Sequence, residues 1–333
     1  MSFLSISNLT KKFENSVAVN DISFSIEQGE FISLLGPSGC GKSTTLNMLA
    51  GLETPSSGLI HLNQRDITHL PPGQRNLSMI FQSYALFPHL SVKENILFGL
   101  KARRVDKTEQ QKRLRHAVDL VGLGEHLHKK PSQLSGGQCQ RVALGRSIVS
   151  QAPLCLMDEP LSNLDTKLRN EMRSEIRQLQ KSLGLTVVYV THDQIEAMSM
   201  ADSIILLNKG KVEQQGAPES FYQHPQTTFV AGFIGHPPMN LITLNQHILG
   251  IRPEHISLNP TGYKAKVNSC DYQGAATVLD IDIIEGPFAG AKRIQFSLEG
   301  KHILAVDSLI AIQWPEKAQH TFSLSTGKRF VPQ

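Results

Sequence analysis

The run Gly36-Pro37-Ser38-Gly39-Cys40-Gly41-Lys42-Ser43-Thr44 constrains this chain more than any other stretch. It fits the pattern GxxxxGK[ST] and stands between an apolar run, Phe31–Leu35, and a segment of helical character that starts near Lys42. The spacing has a physical reason. Glycines let successive backbone N–H groups turn inward around phosphate oxygens, and a helix N-terminus adds its positive dipole. The lysine neutralises charge on the β- and γ-phosphates, and the following hydroxyl is placed to ligate Mg²⁺. The pattern therefore predicts a nucleoside-triphosphate site on a strand–loop–helix unit.

The rest of the chain fits that expectation. Phe31–Leu35, 154–157, 187–190 and 204–207 are short apolar runs separated by longer periodic polar segments, the alternation of an α/β domain with a parallel sheet. Lys101 to His128 is rich in Lys, Arg, Gln and Glu, with apolar residues at helical spacing, and reads as amphipathic helices with a solvated charged face. A Gly235-His236-Pro237-Pro238 break marks the expected domain boundary, giving 1–235 and 236–333. Beyond it the period changes to two. Leu279, Ile281 and Ile283 alternate with Asp280 and Asp282, then Ile294, Phe296 and Leu298 with Gln295 and Ser297, then Ile310, Ile312 and Trp314 with Ala311 and Gln313. Half-buried strands between Gly/Pro turns predict a small β-barrel.

Composition excludes several classes. The longest apolar runs fall far short of the roughly 18–20 residues a membrane span needs. The N-terminus Met-Ser-Phe-Leu-Ser-Ile has no basic segment, long apolar stretch or cleavage site, so a cytoplasmic location is expected. Net charge is only +4, with no basic block or basic–aromatic pattern, which argues against a nucleic-acid partner. The dispersed cysteines Cys40, Cys139, Cys155 and Cys270 form no CxxC pair and read as reduced thiols.

A triphosphatase also needs carboxylates. The apolar run from Leu154 ends in Asp158-Glu159, and acids at the tip of a buried strand belong at a site. Asp158 is expected to contact Mg²⁺, and Glu159 to act as general base on the attacking water.

Here the chain resembles a known family. Leu134-Ser135-Gly136-Gly137-Gln138, followed by Gln140-Arg141, is similar to the signature of ABC ATPases, which other P-loop classes lack. Gln82 in Phe81-Gln82-Ser83-Tyr84 matches the Q-loop, Ser162-Asn163-Leu164-Asp165 the D-loop and Thr191-His192-Asp193 the H-loop. The resemblance implies an α/β P-loop NTPase ABC ATPase domain with a helical subdomain. It implies a head-to-tail homodimer, with ATP on Lys42 and Ser43 of one subunit covered by Ser135, Gly136, Gly137 and Gln138 of the other. His192 would hold the γ-phosphate and position water, and Asp165 would couple the two sites. Gln82 would sense the γ-phosphate or Mg²⁺, Phe13 would stack on adenine, and Tyr84 to His89 would line the groove for a membrane subunit. Cys139 departs from the Arg or Lys many relatives carry after the signature glutamine; an inert thiol is expected, with an oxidation site near the dimer interface as the alternative.

The C-terminal part narrows the class. Gly235-His236-Pro237-Pro238-Met239-Asn240 and Leu249 to Ile256, with Arg252-Pro253-Glu254, resemble segments of the OB-like TOBE barrel of carbohydrate-importer ATPases of the maltose and glycerol-3-phosphate type. Met239-Asn240-Leu241-Ile242 and the ending Leu324 to Arg329 are most similar to the sn-glycerol-3-phosphate group, although the barrel portion is shorter than in the maltose subunit. The implied partners are two transmembrane permease subunits and, indirectly, an extracytoplasmic solute-binding protein, with a regulatory protein as a further candidate at the C-terminal domain. The implied location is the cytoplasmic face of the inner membrane, held peripherally. An exporter ATPase would share the catalytic motifs but not the barrel-like tail. A non-transport ABC protein predicts two cassettes, a coiled-coil insertion or a basic face, and a nucleotide kinase needs no signature.

Overall fold

The computed structural model of the protein describes residues 2–330. Its chain forms two compact units, divided between Pro218 and Glu219.

The first unit opens with an antiparallel pair, β1 (Leu4–Phe13) and β2 (Ser16–Ile26), followed by β3 (Phe31–Leu35) and α1 (Lys42–Ala50). Next come β4 (Ser57–Leu62) and the short β5 (Arg65–Asp66), which complete a four-stranded sheet in the order β2-β1-β4-β5. β6 (Leu77–Ile80) leads into three helices, α2 (Val92–Ala102), α3 (Lys107–Val121) and α4 (Gly136–Ser150). The remainder alternates: β7 (Leu154–Asp158), α5 (Thr166–Leu183), β8 (Thr186–Thr191), α6 (Gln194–Met200), β9 (Ser203–Asn208) and β10 (Lys211–Gly216). A six-stranded sheet of order β10-β9-β3-β8-β7-β6 results. It is parallel except for β10, which runs antiparallel to β9.

Every residue of β3 and β8 is buried, as a strand covered on both faces requires. Period-two alternation sends Phe31, Val187, Tyr189, Cys155 and Met157 to one face, where they pack with apolar residues of α2 to α5. Ile32, Leu34, Val188, Val190, Leu154 and Leu156 point the other way, into a core shared with α1 and the β1–β4 layer. Helix α5 shows how little apolar content this needs: Met172, Ile176 and Leu179, at spacings of four and three, bury one stripe of an otherwise polar helix. The buried Arg75 ties two loops to the end of α1, its guanidinium donating to Met48 O, Leu49 O, Thr68 O and Leu70 O at 2.6–2.9 Å.

The second unit begins with α7 (Pro218–Gln223) and α8 (Thr228–Phe233). Its strands are β11 (Asn240–Thr243), β12 (His247–Ile251), β13 (Ser257–Tyr272), β14 (Ala276–Ile283), β15 (Ile294–Glu299), β16 (Leu309–Gln313), β17 (Gln319–Ser323) and β18 (Arg329–Phe330). They form two four-stranded antiparallel sheets, β11-β12-β17-β18 and β15-β14-β13-β16. Leu279, Ile281, Ile283, Ile294, Phe296, Ile312 and Trp314 all enter the core between them, so the period-two reading carried the correct face of each strand.

The division at Pro218 lies earlier than the break at Gly235. Helices α7 and α8 are bound to the second unit: Thr228 N donates to Gly327 O and Arg329 N to Gln226 O, while the buried Arg252 guanidinium donates to Tyr222 O and Ile234 O. The Gly-His-Pro-Pro break is thus a change of direction inside the second unit.

Candidate active site

Strand register brings the motifs to one end of the six-stranded sheet. Leu35 pairs with Thr191 and Asp158 with Val190, so the loop after β3, the Asp158-Glu159 pair after β7 and His192 after β8 emerge side by side. Ligands of open parallel sheets bind at this carboxyl end.

The loop from Gly36 to Gly41 lets its backbone approach closely. Gly41 has φ 104°, and a Cβ there would lie 2.5 Å from Ala18 O. Gly41 also stands at the N-cap of α1 and supplies no side-chain bond, whereas α2, α3, α4, α5 and α6 are capped by Ser91, Asp106, Ser135, Asp165 and Asp193. The first N–H groups of α1 therefore have no side-chain acceptor, the arrangement that suits an anion. Lys42 is buried, and its ammonium donates to Gly36 O at 2.8 Å and Pro37 O at 3.0 Å. Within the same loop the Cys40 thiol is buried, and burial pushes its pKa up despite the lysine beside it. Cys40 N donates to Pro37 O, and Thr45 Oγ1 to Gly41 O, which close the loop onto the helix.

Ser43 Oγ donates to Asp158 Oδ1 at 3.1 Å. Burial raises the Asp158 pKa, and the Glu159 charge raises it further against the Ser43 hydrogen bond. Such a carboxylate gains from a nearby cation. Among the described residues no three His, Cys, Asp or Glu side chains gather as a metal cage. One hydroxyl and one carboxylate fit Mg²⁺, which keeps waters and takes its other oxygens from substrate phosphates.

Glu159 adopts φ 42°, a left-handed conformation uncommon outside glycine. Its N–H donates to Val190 O at 3.0 Å, and its Oε2 lies 3.1 Å from His192 Nδ1. His192 itself is exposed. Behind it, the buried Glu196 carboxylate accepts from Tyr189 OH at 2.8 Å and Thr191 Oγ1 at 2.7 Å, fixing α6 to the end of β8.

Gln82 follows β6, next to β7. Its Nε2 donates to Ser162 Oγ at 3.2 Å rather than to Ser43 or Asp158, and Ser162 Oγ in turn donates to Glu159 O at 2.9 Å. Asn163 Nδ2 donates to Gln82 O at 2.9 Å. This bridge was not legible in the sequence: the motifs name its residues, but only strand adjacency joins them. Arg146 was also missed; from α4 it donates to Ala85 O at 2.6 Å and lies over the Phe87 ring.

The signature residues form a separate group. Ser135 caps α4 in a reciprocal pair with Gln138, Gln138 N donating to Ser135 Oγ and Ser135 N to Gln138 Oε1. Gly136 and Gly137 rest against Leu164 and Leu168, and Asp165 caps α5 by accepting from Leu168 N at 3.0 Å. Among the described residues no hydrogen bond joins Ser135, Gly136, Gly137 or Gln138 to the group around Lys42 and Glu159. Phe13 ends β1 with its ring 46% exposed, so it is not a core residue, and Lys11 Nζ lies 5.0 Å from its centroid. Cys139 is half-buried, donates to Pro131 O, and has its pKa raised by burial.

A glycine-rich GxxxxGK[ST] loop, a hydroxyl–carboxylate pair and a carboxylate–histidine pair at one end of a mostly parallel sheet, with a helical insertion carrying a further glycine motif capped by Ser135, define an ATPase of the ABC class. Comparison with known proteins agrees. The ABC transporter family model matches residues 19–162, and a TOBE domain matches residues 249–322. The sn-glycerol-3-phosphate import ATP-binding protein UgpC of Ruegeria pomeroyi is 43% identical over 99% of this chain and 100% of its own length. A Rhizobium etli UgpC is 43% identical over 99% of both chains. The trehalose/maltose import ATP-binding protein MalK of Thermococcus litoralis is 51% identical over 73% of this chain and 67% of its own. Among solved structures, cbiO1 of Clostridium perfringens, part of the ABC transporter complex cbiONQ, is 28% identical, covering 66% of this chain and 90% of its own with TM-score 0.61. The chain belongs to the ABC transporter family, among the import ATP-binding proteins of the carbohydrate-uptake type, and is an ATPase. Among the described residues no helix is long and apolar enough to cross a membrane.

Proposed function

We propose that this chain hydrolyses Mg-ATP to drive import of a phosphorylated polyol, sn-glycerol 3-phosphate, through a pair of membrane permeases. The observation that carries the ATPase part is the convergence of Ser43–Asp158 and Glu159–His192 at one sheet end, within hydrogen-bond distance in each pair. The substrate rests on the two UgpC relatives that match over essentially the whole chain.

In this reading the uncapped N-terminus of α1 and the Lys42 ammonium bind the phosphates, and Phe13, exposed at the end of β1, stacks on adenine. Ser43 and Asp158 would hold Mg²⁺, and Gln82 would sense the γ-phosphate or the metal. When bound, Mg²⁺ neutralises charge on the β- and γ-phosphates. Glu159 takes the proton of the attacking water, and His192, held at 3.1 Å from it, orients that water and the γ-phosphate. Ser135, Gly136, Gly137 and Gln138 act in trans, which agrees with their separation from the Lys42 group within one chain, and Asp165 couples the two sites of a homodimer. Residues Tyr84 to His89 receive the permease at the cytoplasmic face of the inner membrane, where the chain binds peripherally. The part beyond Gly235 is regulatory, through a protein partner, and the solute arrives from an extracytoplasmic binding protein.

Uptake of labelled sn-glycerol 3-phosphate by cells deleted for this chain, complemented with wild type or Glu159→Gln, tests the reading. Loss of uptake restored only by wild type supports it, and undiminished uptake in the deletion strain refutes the substrate. A second reading, trehalose or maltose import, is favoured by the Thermococcus litoralis relative, and the same cells assayed with those sugars decide between them.

A further inference from the structure

We propose that His126 is a positioning residue for the signature motif, acting through Gln138. The inference deepens the reading that Ser135 to Gln138 face nucleotide across the dimer, and rests on it.

His126 ends a single 3₁₀ turn, Gly124–His126, ahead of the signature. Its Nε2 lies 3.0 Å from Gln138 Nε2. The amide of Gln138 cannot be turned round to suit either ring state, because its Oε1 is already committed to Ser135 N at 2.9 Å. The NH₂ end must therefore donate, and His126 Nε2 must accept through its lone pair. That assigns the Nδ1–H tautomer, in which Nδ1, buried and without a hydrogen-bond partner, carries the proton at some cost so that Nε2 can accept. Gln138 is then held at three points: Oε1 by Ser135 N, Nε2 by His126, and its backbone N–H by Ser135 Oγ at 3.3 Å. Without His126 only one bond restrains the amide, which can swing away and release Ser135 N. The Ser135 side chain, which both caps α4 and belongs to the signature, loses its fixed geometry with it.

The turn carrying His126 is itself anchored. Lys129 N donates to His126 O at 3.0 Å, and Lys93 N and Val92 N, at the start of α2, donate to Leu127 O and Lys129 O. The histidine thus links the start of α2 to the signature. A cleft of about 230 Å³ beside it, bordered by Leu123, Arg141 and Leu168, leaves room for a glutamine in its place. Arg141, the charged group facing this cleft from α4, is paired with Glu175 of α5 at 2.9 Å, which leaves the imidazole as acceptor for Gln138.

Imidazole ¹⁵N shifts of the full-length chain, with His126 assigned by its loss in His126→Gln, read the tautomer. An Nδ1–H ring with an accepting Nε2 is expected; an Nε2–H ring overturns the proposal. In steady-state ATP hydrolysis His126→Leu should lower kcat roughly tenfold, the scale of one lost hydrogen bond, while binding of a non-hydrolysable ATP analogue stays at the wild-type value. His126→Gln, whose Oε1 can accept from Gln138, should recover most of that loss. Wild-type kcat in His126→Leu, or equal impairment of both variants, overturns the positioning role. An inactive wild-type chain would refute the ATPase reading instead, and the ring tautomer would still decide the contact.

Discussion

His192 Nδ1 stands 3.1 Å from Glu159 Oε2, and Glu159 reaches that position with a left-handed backbone, φ 42°. A non-glycine residue holds such a conformation only where its surroundings over-determine it, and here Val190 O fixes the N–H from the neighbouring strand. Glu159→Gln keeps the side-chain shape and a hydrogen-bonding group toward His192 but cannot accept a proton. It should bind ATP with wild-type affinity while turnover falls by about 10²-fold or more. Equilibrium nucleotide titration beside steady-state hydrolysis reads the two effects separately, and near-normal turnover would remove Glu159 from the role of base.

Lys42 is buried, and its ammonium is held at the loop by Gly36 O and Pro37 O. Lys42→Ala should weaken nucleotide binding by roughly ten- to a hundredfold, the scale of one charge-assisted hydrogen bond. A titration with a fluorescent ATP analogue checks this.

A Cβ on Gly137 would lie 3.0 Å from Leu168 Cδ1. Gly137→Ala must therefore push Leu168 or move the start of α4. The crowding is offset in part by the roughly 1 kcal/mol that alanine gains over glycine inside a helix, so stability should stay within about 1 kcal/mol of wild type while hydrolysis is lost and binding of a single nucleotide to the phosphate loop is unchanged. Thermal melts and binding titrations together separate this from general unfolding.

In the second unit, His320 has its pKa lowered to about 4 by burial first, and then by Arg329, Arg252 and neighbouring histidines. Its Nδ1 is buried without a partner. A depressed histidine stabilises the fold above its ordinary value of 6.5, and that stability is lost as pH falls toward about 4, because the unfolded chain takes up the proton first. His320→Gln should flatten this part of the profile. Scanning calorimetry at the two ends of the window should show a smaller fall in Tm for the variant than for wild type.

Arg75→Met removes the group that satisfies Met48 O, Leu49 O, Thr68 O and Leu70 O. Several buried carbonyls left without a donor should cost about 2–4 kcal/mol, read as a lower denaturation midpoint with an unchanged denaturant slope.

The legible parts of this fold were those with a strong local period. Phe31–Leu35 is a strand as read, and Leu279, Ile281 and Ile283 point inward as their alternation required. The first sheet was not legible: β1 and β2 have register shifts near Leu9 and Lys11 that break the alternation. At the site, Lys42, Ser43, Asp158, Glu159 and His192 come together because their motifs all follow strands of one sheet. The motif alone named Gln82 without its neighbours; its hydrogen bond to Ser162 comes from the turn after Glu159, which no local period announces. The compact units divide at Pro218 and Glu219 rather than at the Gly235 break, and a turn inside a unit and a linker between units use the same residues.

The hydroxyl of Ser162 takes a hydrogen bond from Gln82 and gives one to the carbonyl of Glu159, while Asn163 holds the backbone of Gln82. These links act like a short gear train within a single chain. They connect the loop after β6 to the backbone carbonyl of Glu159, the residue whose side chain lies against His192. The loop after β6 and the residue that faces His192 are thus joined through two side chains of one turn, with no gap in the chain of contacts between them.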